Sequence, residues 1–276
     1  MTAVQEEIFD VRGARVLVTG AASGLGFAFA EALADCGAHV TLTDVDEAVL
    51  TASAQGLADR GLQVRSEVVD VTDAAAVQAT VDGIVEAEGG LDVVFANAGI
   101  GAVPGYAFEG GQTLDGIARE DLDRVLGVNL HGMLHTIGSA ARAMKAQGSG
   151  RIVVTSSIAG VQPEPFVCYG YISSKAAIIN VVRHAALELA PYGITVNAIA
   201  PGPVKGTRIG AGATLDPTPD AEAGWAKMIP IGRMGTPSEL KGAALLLASK
   251  ASSFLTGQTL VVDGGATLAG PGVQSR

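Results

Sequence analysis

Arg15-Val16-Leu17-Val18-Thr19 runs without a break into Gly20-Ala21-Ala22-Ser23-Gly24-Leu25-Gly26, and that turn runs into Phe27-Ala28-Phe29-Ala30-Glu31-Ala32-Leu33-Ala34. The first segment is short and apolar, which predicts a buried strand. The last is long enough and apolar enough for a helix packed on a sheet. Strand, glycine-rich turn and helix in that order form a unit that cradles phosphate. The start of a helix offers free N–H groups and partial positive charge, so a pyrophosphate sits well there. Glycine is needed because a Cβ would block approach of the phosphate, or of the helix to the strand. The spacing is Gly-x-x-x-Gly-x-Gly rather than the general Gly-x-Gly-x-x-Gly fingerprint. Gly20, Ser23, Gly24, Leu25 and Gly26 are the candidate contacts of a dinucleotide cofactor.

The next apolar run, His39-Val40-Thr41-Leu42-Thr43, ends in Asp44. A carboxylate about 20 residues past the glycines accepts hydrogen bonds from ribose hydroxyls and repels a 2′-phosphate. No Arg or Lys stands in the turn or just after Asp44 to offset that repulsion. The expected cofactor is therefore NAD. A third strand, Gln63 to Val69, leads to Asp70-Val71, which by position reaches the adenine. Equally, Asp70-Val71-Thr72-Asp73 reads as a helix cap.

Tyr171 and Lys175 are four residues apart, which puts them on one helix face. An ammonium beside a phenol favours the phenolate and is expected to lower the Tyr pKa from its usual value near 10. Such a group exchanges a proton with an alcohol or a ketone near neutral pH. Asn129 falls in the middle of the helical run Asp123 to Gly132. Asn is a poor interior helix residue, so its side chain has a task or the helix bends there. Ser157 follows the strand Arg151 to Thr155, at the sheet edge where open α/β sheets bind ligands.

Together, Thr19-Gly20-x-x-x-Gly24-x-Gly26, Asn97-Ala98-Gly99, Asn129, Ser156-Ser157, Tyr171-x-x-x-Lys175 and Pro201-Gly202 resemble the short-chain dehydrogenase/reductase family over about residues 10–265. The run Phe254 to Gly265 looks like that family's final strand. The resemblance implies Tyr171 as general acid/base and Lys175 as the residue that lowers its pKa and holds the nicotinamide ribose. It implies Ser157 on the substrate oxygen and Asn129 holding a water in a proton relay. Asn97, Ala98 and Gly99 end the fourth strand (Leu91 to Ala96) and would support cofactor and sheet. Pro201, Gly202 and Val204 would place the nicotinamide, with Thr207 reaching its carboxamide. Ser157 lies 14 positions before Tyr171, one more than the family's commonest spacing, with the loop Val161 to Gly170 absorbing the difference; Ser156 is the alternative. Thr207 stands one residue later than the family's usual threonine. Tyr169 is a rival acid/base, but Ser173, not a lysine, lies four residues beyond it.

At 276 residues the chain suffices for one large domain, and its alternating strands and helices predict a single-domain, Rossmann-type, doubly wound parallel sheet with helices on both faces. A net charge of −10 argues against nucleic acid or an anionic membrane as partner. No apolar run is long enough to span a bilayer, and residues 1–7 carry no secretory pattern. Two cysteines, Cys36 and Cys168, fit a reducing cytoplasm, with Cys168 read as a small buried hydrophobe. His131 and His135 share a helix face without a third ligand, so no metal is expected.

Two segments are expected to shape the substrate pocket: Ile100 to Asp121, with Tyr106 and Phe108, and Lys205 to Met228, a glycine-rich lid. Ile158, Phe166, Ile209, Trp225 and Met228 would line it, with Arg208 as the one candidate anionic handle. The expected substrate is an uncharged secondary alcohol or its ketone, cyclic or aromatic. The helices around Asp121 to Met144 and Tyr171 to Ala190 are apolar on more than one side, which predicts burial on both. The family resemblance makes that second cover a homo-oligomer, commonly a tetramer. Two other readings remain: a lyase or isomerase that keeps its NAD, and a catalytically silent NAD(H) sensor or scaffold.

Overall fold

Each strand of the sheet sends alternate side chains to opposite faces, and the two apolar sets so produced define the layers. The computed structural model describes residues 7–101, 114–164, 167–207 and 219–268. Seven parallel strands, β1 (Arg15–Thr19), β2 (His39–Asp44), β3 (Val64–Val68), β4 (Val93–Ala96), β5 (Gly150–Thr155), β6 (Ile194–Pro201) and β7 (Thr259–Val262), lie in the order β3-β2-β1-β4-β5-β6-β7. The helices between them are α1 (Gly24–Asp35), α2 (Glu47–Ala58), α3 (Ala74–Glu88), α4 (Arg119–Leu126), α5 (Met133–Gln147), α6 (Tyr169–Leu189), α7 (Pro219–Met228) and α8 (Lys241–Ala248). This is the doubly wound α/β architecture expected from the sequence.

Val16, Val18, Val40, Leu42, Phe95 and Val153 face α1, α2 and α8 through Phe29, Leu33, Leu50, Leu57 and Leu247. Leu17, Val94, Ile152, Val154 and Val196 face α3, α5 and α6 through Ile84, Ile137, Met144, Ile178 and Val182. Phe29 and Phe95, both fully buried, meet with ring centroids 5.3 Å apart. Each such side chain contributes about 1.5–3 kcal/mol through burial.

Several boundaries differ from the sequence expectation. β3 is shorter than Gln63 to Val69, and four of its five residues are exposed, as befits an edge strand. β4 begins at Val93 rather than Leu91. The final strand spans only Thr259–Val262, because Phe254 and Leu255 belong to a surface loop before it. The long helix expected around Asn129 is two α-helices joined by a π-helical turn, Gly127–Gly132.

Candidate active site

Strand order reverses between β1 and β4, and the C-terminal strand ends there form the crevice where such sheets bind ligands. Gly20, Asp44, Asn97, Ser157 and Gly202 each stand at or just after a strand end along that edge, and Tyr171 and Lys175 lie on a helix packed against β6.

The glycine turn is tight because its neighbours leave no room for side chains. Gly20 has φ +65°, and a Cβ there would stand 2.7 Å from the Ala98 Cα. A Cβ at Gly26 would collide with the Gly20 carbonyl and the Asn97 amide. Ser23 takes the N-cap position of α1 in an extended conformation, yet its hydroxyl makes no capping bond. No acidic residue stands in the first turn, so nothing competes with an anion for the free N–H groups. Asn97 staples the turn to the sheet: its Nδ2 donates to the carbonyls of Thr19 and Gly20, both at 3.1 Å. The Thr155 hydroxyl donates to Asn97 Oδ1 at 2.9 Å, and the Asn97 and Ala98 N–H groups donate to Thr19 Oγ1.

Asp44 ends β2 beside this turn. Its two oxygens accept from the Ala22 and Asp46 N–H groups, each at 3.1 Å. That fixes the carboxylate while each oxygen keeps a lone pair for a ribose hydroxyl. Beyond β3, the two readings of Asp70 to Asp73 divide between two residues. Asp73 caps α3, accepting from Ala75 and Ala76 N–H, whereas Asp70 Oδ1 accepts from the Thr72 N–H and hydroxyl. The Val71 N–H has no acceptor among the described residues, and Val71 itself is buried. A free carboxylate oxygen beside a free N–H complements the amino group and ring nitrogen of adenine. The glycine turn, Asp44 and this pair therefore fit an adenine dinucleotide.

The second cluster gathers at the ends of β4 and β5. Lys175 is 4 % exposed; its Nζ donates to the Thr155 carbonyl at 2.9 Å and lies 5.5 Å from the Tyr171 ring centroid. Burial pulls the Lys175 ammonium down to about 8. Burial also pushes the Tyr171 phenol up, only partly offset by a hydrogen bond from the Ser157 side chain, with Cys168 and Glu164 adding to the rise. This corrects the expectation that Lys175 lowers the Tyr171 pKa: spacing sets adjacency, but the Lys proton points to Thr155 and desolvation dominates. Ser157 rather than Ser156 meets the phenol. Ser156 Oγ is spent on the Lys175 carbonyl at 3.1 Å.

Asn129 is fully buried in the π-helical turn. Its Oδ1 accepts from the Ile100 N–H at 2.7 Å and its Nδ2 donates to the Ile100 carbonyl at 2.9 Å. The amide thus pairs with a backbone segment as a strand would, which repays its poor helical propensity and accounts for the widened turn. Nδ2 also donates to Ser174 Oγ at 3.1 Å, and Ser174 in turn donates to the Tyr171 carbonyl. A Cβ at Gly99 would lie 3.3 Å from Asn129 Oδ1 and 3.6 Å from Lys175 Nζ. Asn129, Gly99 and Lys175 therefore share one small space.

On the third side, Gly202 follows β6 so closely against Asp263 that a Cβ would lie 2.6 Å from the Asp263 Cα. Val204 forms a single parallel bridge with Gly235, and the Thr207 hydroxyl donates to the Val204 carbonyl at 3.0 Å. The hydroxyl proton is thereby committed, leaving Thr207 an acceptor for a carboxamide NH2. Of the expected pocket lining, Ile158 is buried, Trp225 half-buried and Met228 exposed. Tyr106, Phe108, Phe166, Arg208 and Ile209 lie outside the described residues.

Sequence reading missed two contributors, Thr155 and Ser174, and the contacts of two residues it did name, Thr19 within the glycine motif and Cys168 as a small buried hydrophobe. Cys168 is buried as read, but its sulfur also accepts the Tyr171 N–H at 3.2 Å and so caps α6. Its place three residues before Tyr171, at an N-cap, was the available signal. Among the described residues no three His, Cys, Asp or Glu side chains gather into a metal-binding group, and no helix is long and apolar enough to cross a membrane.

A family described as enoyl-(acyl carrier protein) reductase matches residues 20–267. Galactitol 2-dehydrogenase of Agrobacterium fabrum is 38% identical over 257 residues, covering 90% of this chain and 95% of that one. A short-chain type dehydrogenase/reductase from Mycobacterium marinum superposes with a TM-score of 0.86 at 35% identity, covering 96% of this chain and 99% of its own. A gluconate 5-dehydrogenase from Burkholderia cenocepacia, solved in complex with NADP and tartrate, superposes with a TM-score of 0.85 at 33% identity, covering 96% and 99%.

Proposed function

The chain belongs to the short-chain dehydrogenase/reductase family, and on that premise we propose that it is an NAD-dependent oxidoreductase interconverting a secondary alcohol and a ketone, with Tyr171 as general acid/base. The observation that carries the reading is the meeting of Ser157, Tyr171, Lys175 and Asn129 in one crevice beside a glycine turn. The bound nicotinamide supplies or accepts the hydride at the carbinol carbon. The protein handles the proton and the geometry. Ser157 and Tyr171 hold the substrate oxygen between two hydroxyls. In reduction the Tyr171 phenol, protonated at neutral pH, gives its proton to that oxygen as the carbon gains hydride. In oxidation the phenolate takes the hydroxyl proton as hydride leaves. Lys175 steadies the phenolate, and Asn129 holds a water through which the proton reaches solvent.

The cofactor is NAD because Asp44 places a fixed negative charge where a 2′-phosphate would sit. The NADP in the Burkholderia relative makes this the point to measure. The substrate is uncharged: Glu164, on the loop between Ser157 and Tyr171, adds negative charge near the phenol. Galactitol, named for the Agrobacterium relative, is a neutral polyol that carries secondary hydroxyls. The active form is a homotetramer.

The test is NAD reduction by the purified protein across galactitol, cyclic and aromatic secondary alcohols and gluconate, with NADP in parallel. Turnover with NAD on a neutral alcohol, reduced about 10²–10⁴-fold in Tyr171→Phe, is expected. Preference for gluconate or for NADP would overturn the substrate or the cofactor assignment respectively. Undiminished turnover in Tyr171→Phe would remove the mechanism.

A further inference from the structure

His135 lies in the first turn of α5, outside the set of residues assigned above. Its Nδ1 stands 3.0 Å from the Val71 carbonyl. A carbonyl only accepts, so Nδ1 carries the proton and donates. One turn earlier, Gly132 closes the π-helical turn, and a Cβ there would lie 3.0 Å from the Val71 Cβ. Val71 also shares an apolar cluster with Ala98 and Val128. Val71 is thus seated from three sides on the element that carries Asn129, while its own N–H is left without an acceptor among the described residues.

We propose that His135 is a positioning residue for the adenine half of the cofactor, acting through its hydrogen bond to the Val71 carbonyl. The proposal rests on the dinucleotide reading of the crevice. Asp70 and Val71 occupy a loop that follows an exposed edge strand, so the loop gains little order from the sheet. A free N–H binds a ring nitrogen well only if the peptide is held in place beforehand; otherwise ordering the loop is a cost of binding. Gly132 admits the Val71 side chain, and His135 fixes its carbonyl. The same contact ties the adenine wall to the turn of Asn129, although His135 touches neither the substrate nor the reacting atoms.

ADP-ribose, which carries the adenosine half without nicotinamide, is the probe. Its dissociation constant is measured by calorimetry for the wild type, His135→Ala and His135→Asn, with kcat at saturating NAD and melting temperature alongside. The Asn amide nitrogen reaches about where Nδ1 stands. Loss of one neutral hydrogen bond is expected to weaken ADP-ribose about 2- to 10-fold in His135→Ala. His135→Asn should return to within about twofold of wild type, and kcat should stay within about twofold in both, because proton transfer is untouched. Should the Ala variant fail to fold, His135→Phe, which keeps the ring volume, takes its place. Unchanged ADP-ribose affinity in His135→Ala, or an Asn variant as impaired as the Ala variant, would overturn the proposal and leave the oxidoreductase reading standing. Wild-type protein that binds no ADP-ribose would overturn both.

Discussion

Lys175 shows what a buried ammonium costs the fold. The ammonium is 4 % exposed with one acceptor among the described residues, the Thr155 carbonyl, and burial draws it from 10.5 to about 8. That shift corresponds to about 3 kcal/mol against the charged form. The sign follows from proton counts. Between pH 8 and 10.5 the unfolded chain holds a proton that the folded chain has lost, so stability rises with pH through that window. Below 8 both states are charged and the full penalty applies. Lys175→Met should therefore melt higher than wild type at pH 7 by about 3 °C, after allowing for the orphaned Thr155 carbonyl. The gain should shrink toward pH 10, and turnover should be lost. Equal melting temperatures at pH 7 would mean the ammonium is compensated in the fold. Tyr171 carries the complementary prediction. With its phenol pushed above the usual range, the acid form dominates near neutrality. Ketone reduction should be available at pH 7, whereas kcat/KM for alcohol oxidation should climb from pH 6 to 9. An oxidation profile flat over that range would exclude Tyr171 as the base.

At the scale of elements, the site is built by the strand-end staples and by the π-helical turn. Asn97 joins the glycine turn on β1 to β4, and β5 joins through Thr155. Gly26→Ala would drive a methyl group into the Gly20 carbonyl and the Asn97 amide together. It should cost about 1–3 kcal/mol of stability and weaken NADH binding more than it lowers kcat. Unfolding curves and fluorescence titration decide this, and a variant as stable as wild type would show that the turn can spread. These elements also separate what could be read from sequence from what could not. The strand–glycine–helix unit, Asp44 and the Tyr171–Lys175 spacing are local signals, because chain neighbours decide them. Asn129 was legible as an anomaly in a helix, but its partner Ile100 is 29 residues away in sequence. Ser156 and Ser157 are indistinguishable in the sequence; only packing shows that Ser156 is consumed by the Lys175 carbonyl. The Tyr171 shift was misread for the same reason, since spacing reports neighbours and burial reports desolvation. The expected strand from Phe254 shortened because apolar residues there face outward rather than into a core.

That outward face is a property of the whole molecule. Leu187 on α6 is 76 % exposed and Phe254 102 % exposed. A Cβ at Gly257 would lie 3.5 Å from the Ala186 Cβ, so the loop of Phe254 and Leu255 runs beside the stretch of α6 that carries Leu187. The opposite side of α6 is already used: Ile178, Val182, Ala186 and Leu189 are buried against the sheet. The outer side of α6 is mixed rather than apolar as expected, with Ser173, Asn180, Arg183, His184 and Glu188 exposed beside Ala176 and Leu187. Leu187 and Phe254 are the large apolar side chains this flank exposes, and they mark it as a candidate interaction site. The sheet also ends on that flank in β7, four residues long and half-buried, whose outer backbone groups have no neighbouring strand among the described residues. In the proposed homotetramer a second copy of the chain would cover both features at once, since a two-fold contact repeated about perpendicular axes gives a closed tetramer. Light scattering should return a mass near four times 27.7 kDa at micromolar concentration. Leu187→Asp combined with Phe254→Asp should lower that mass and leave NADH affinity within about twofold, because the crevice lies at the strand ends and not on this flank. A wild-type monomer would mean that the exposed face of α6 is tolerated in water and that the homotetramer is wrong, whereas an unchanged mass in the double variant would place the subunit contact on another surface.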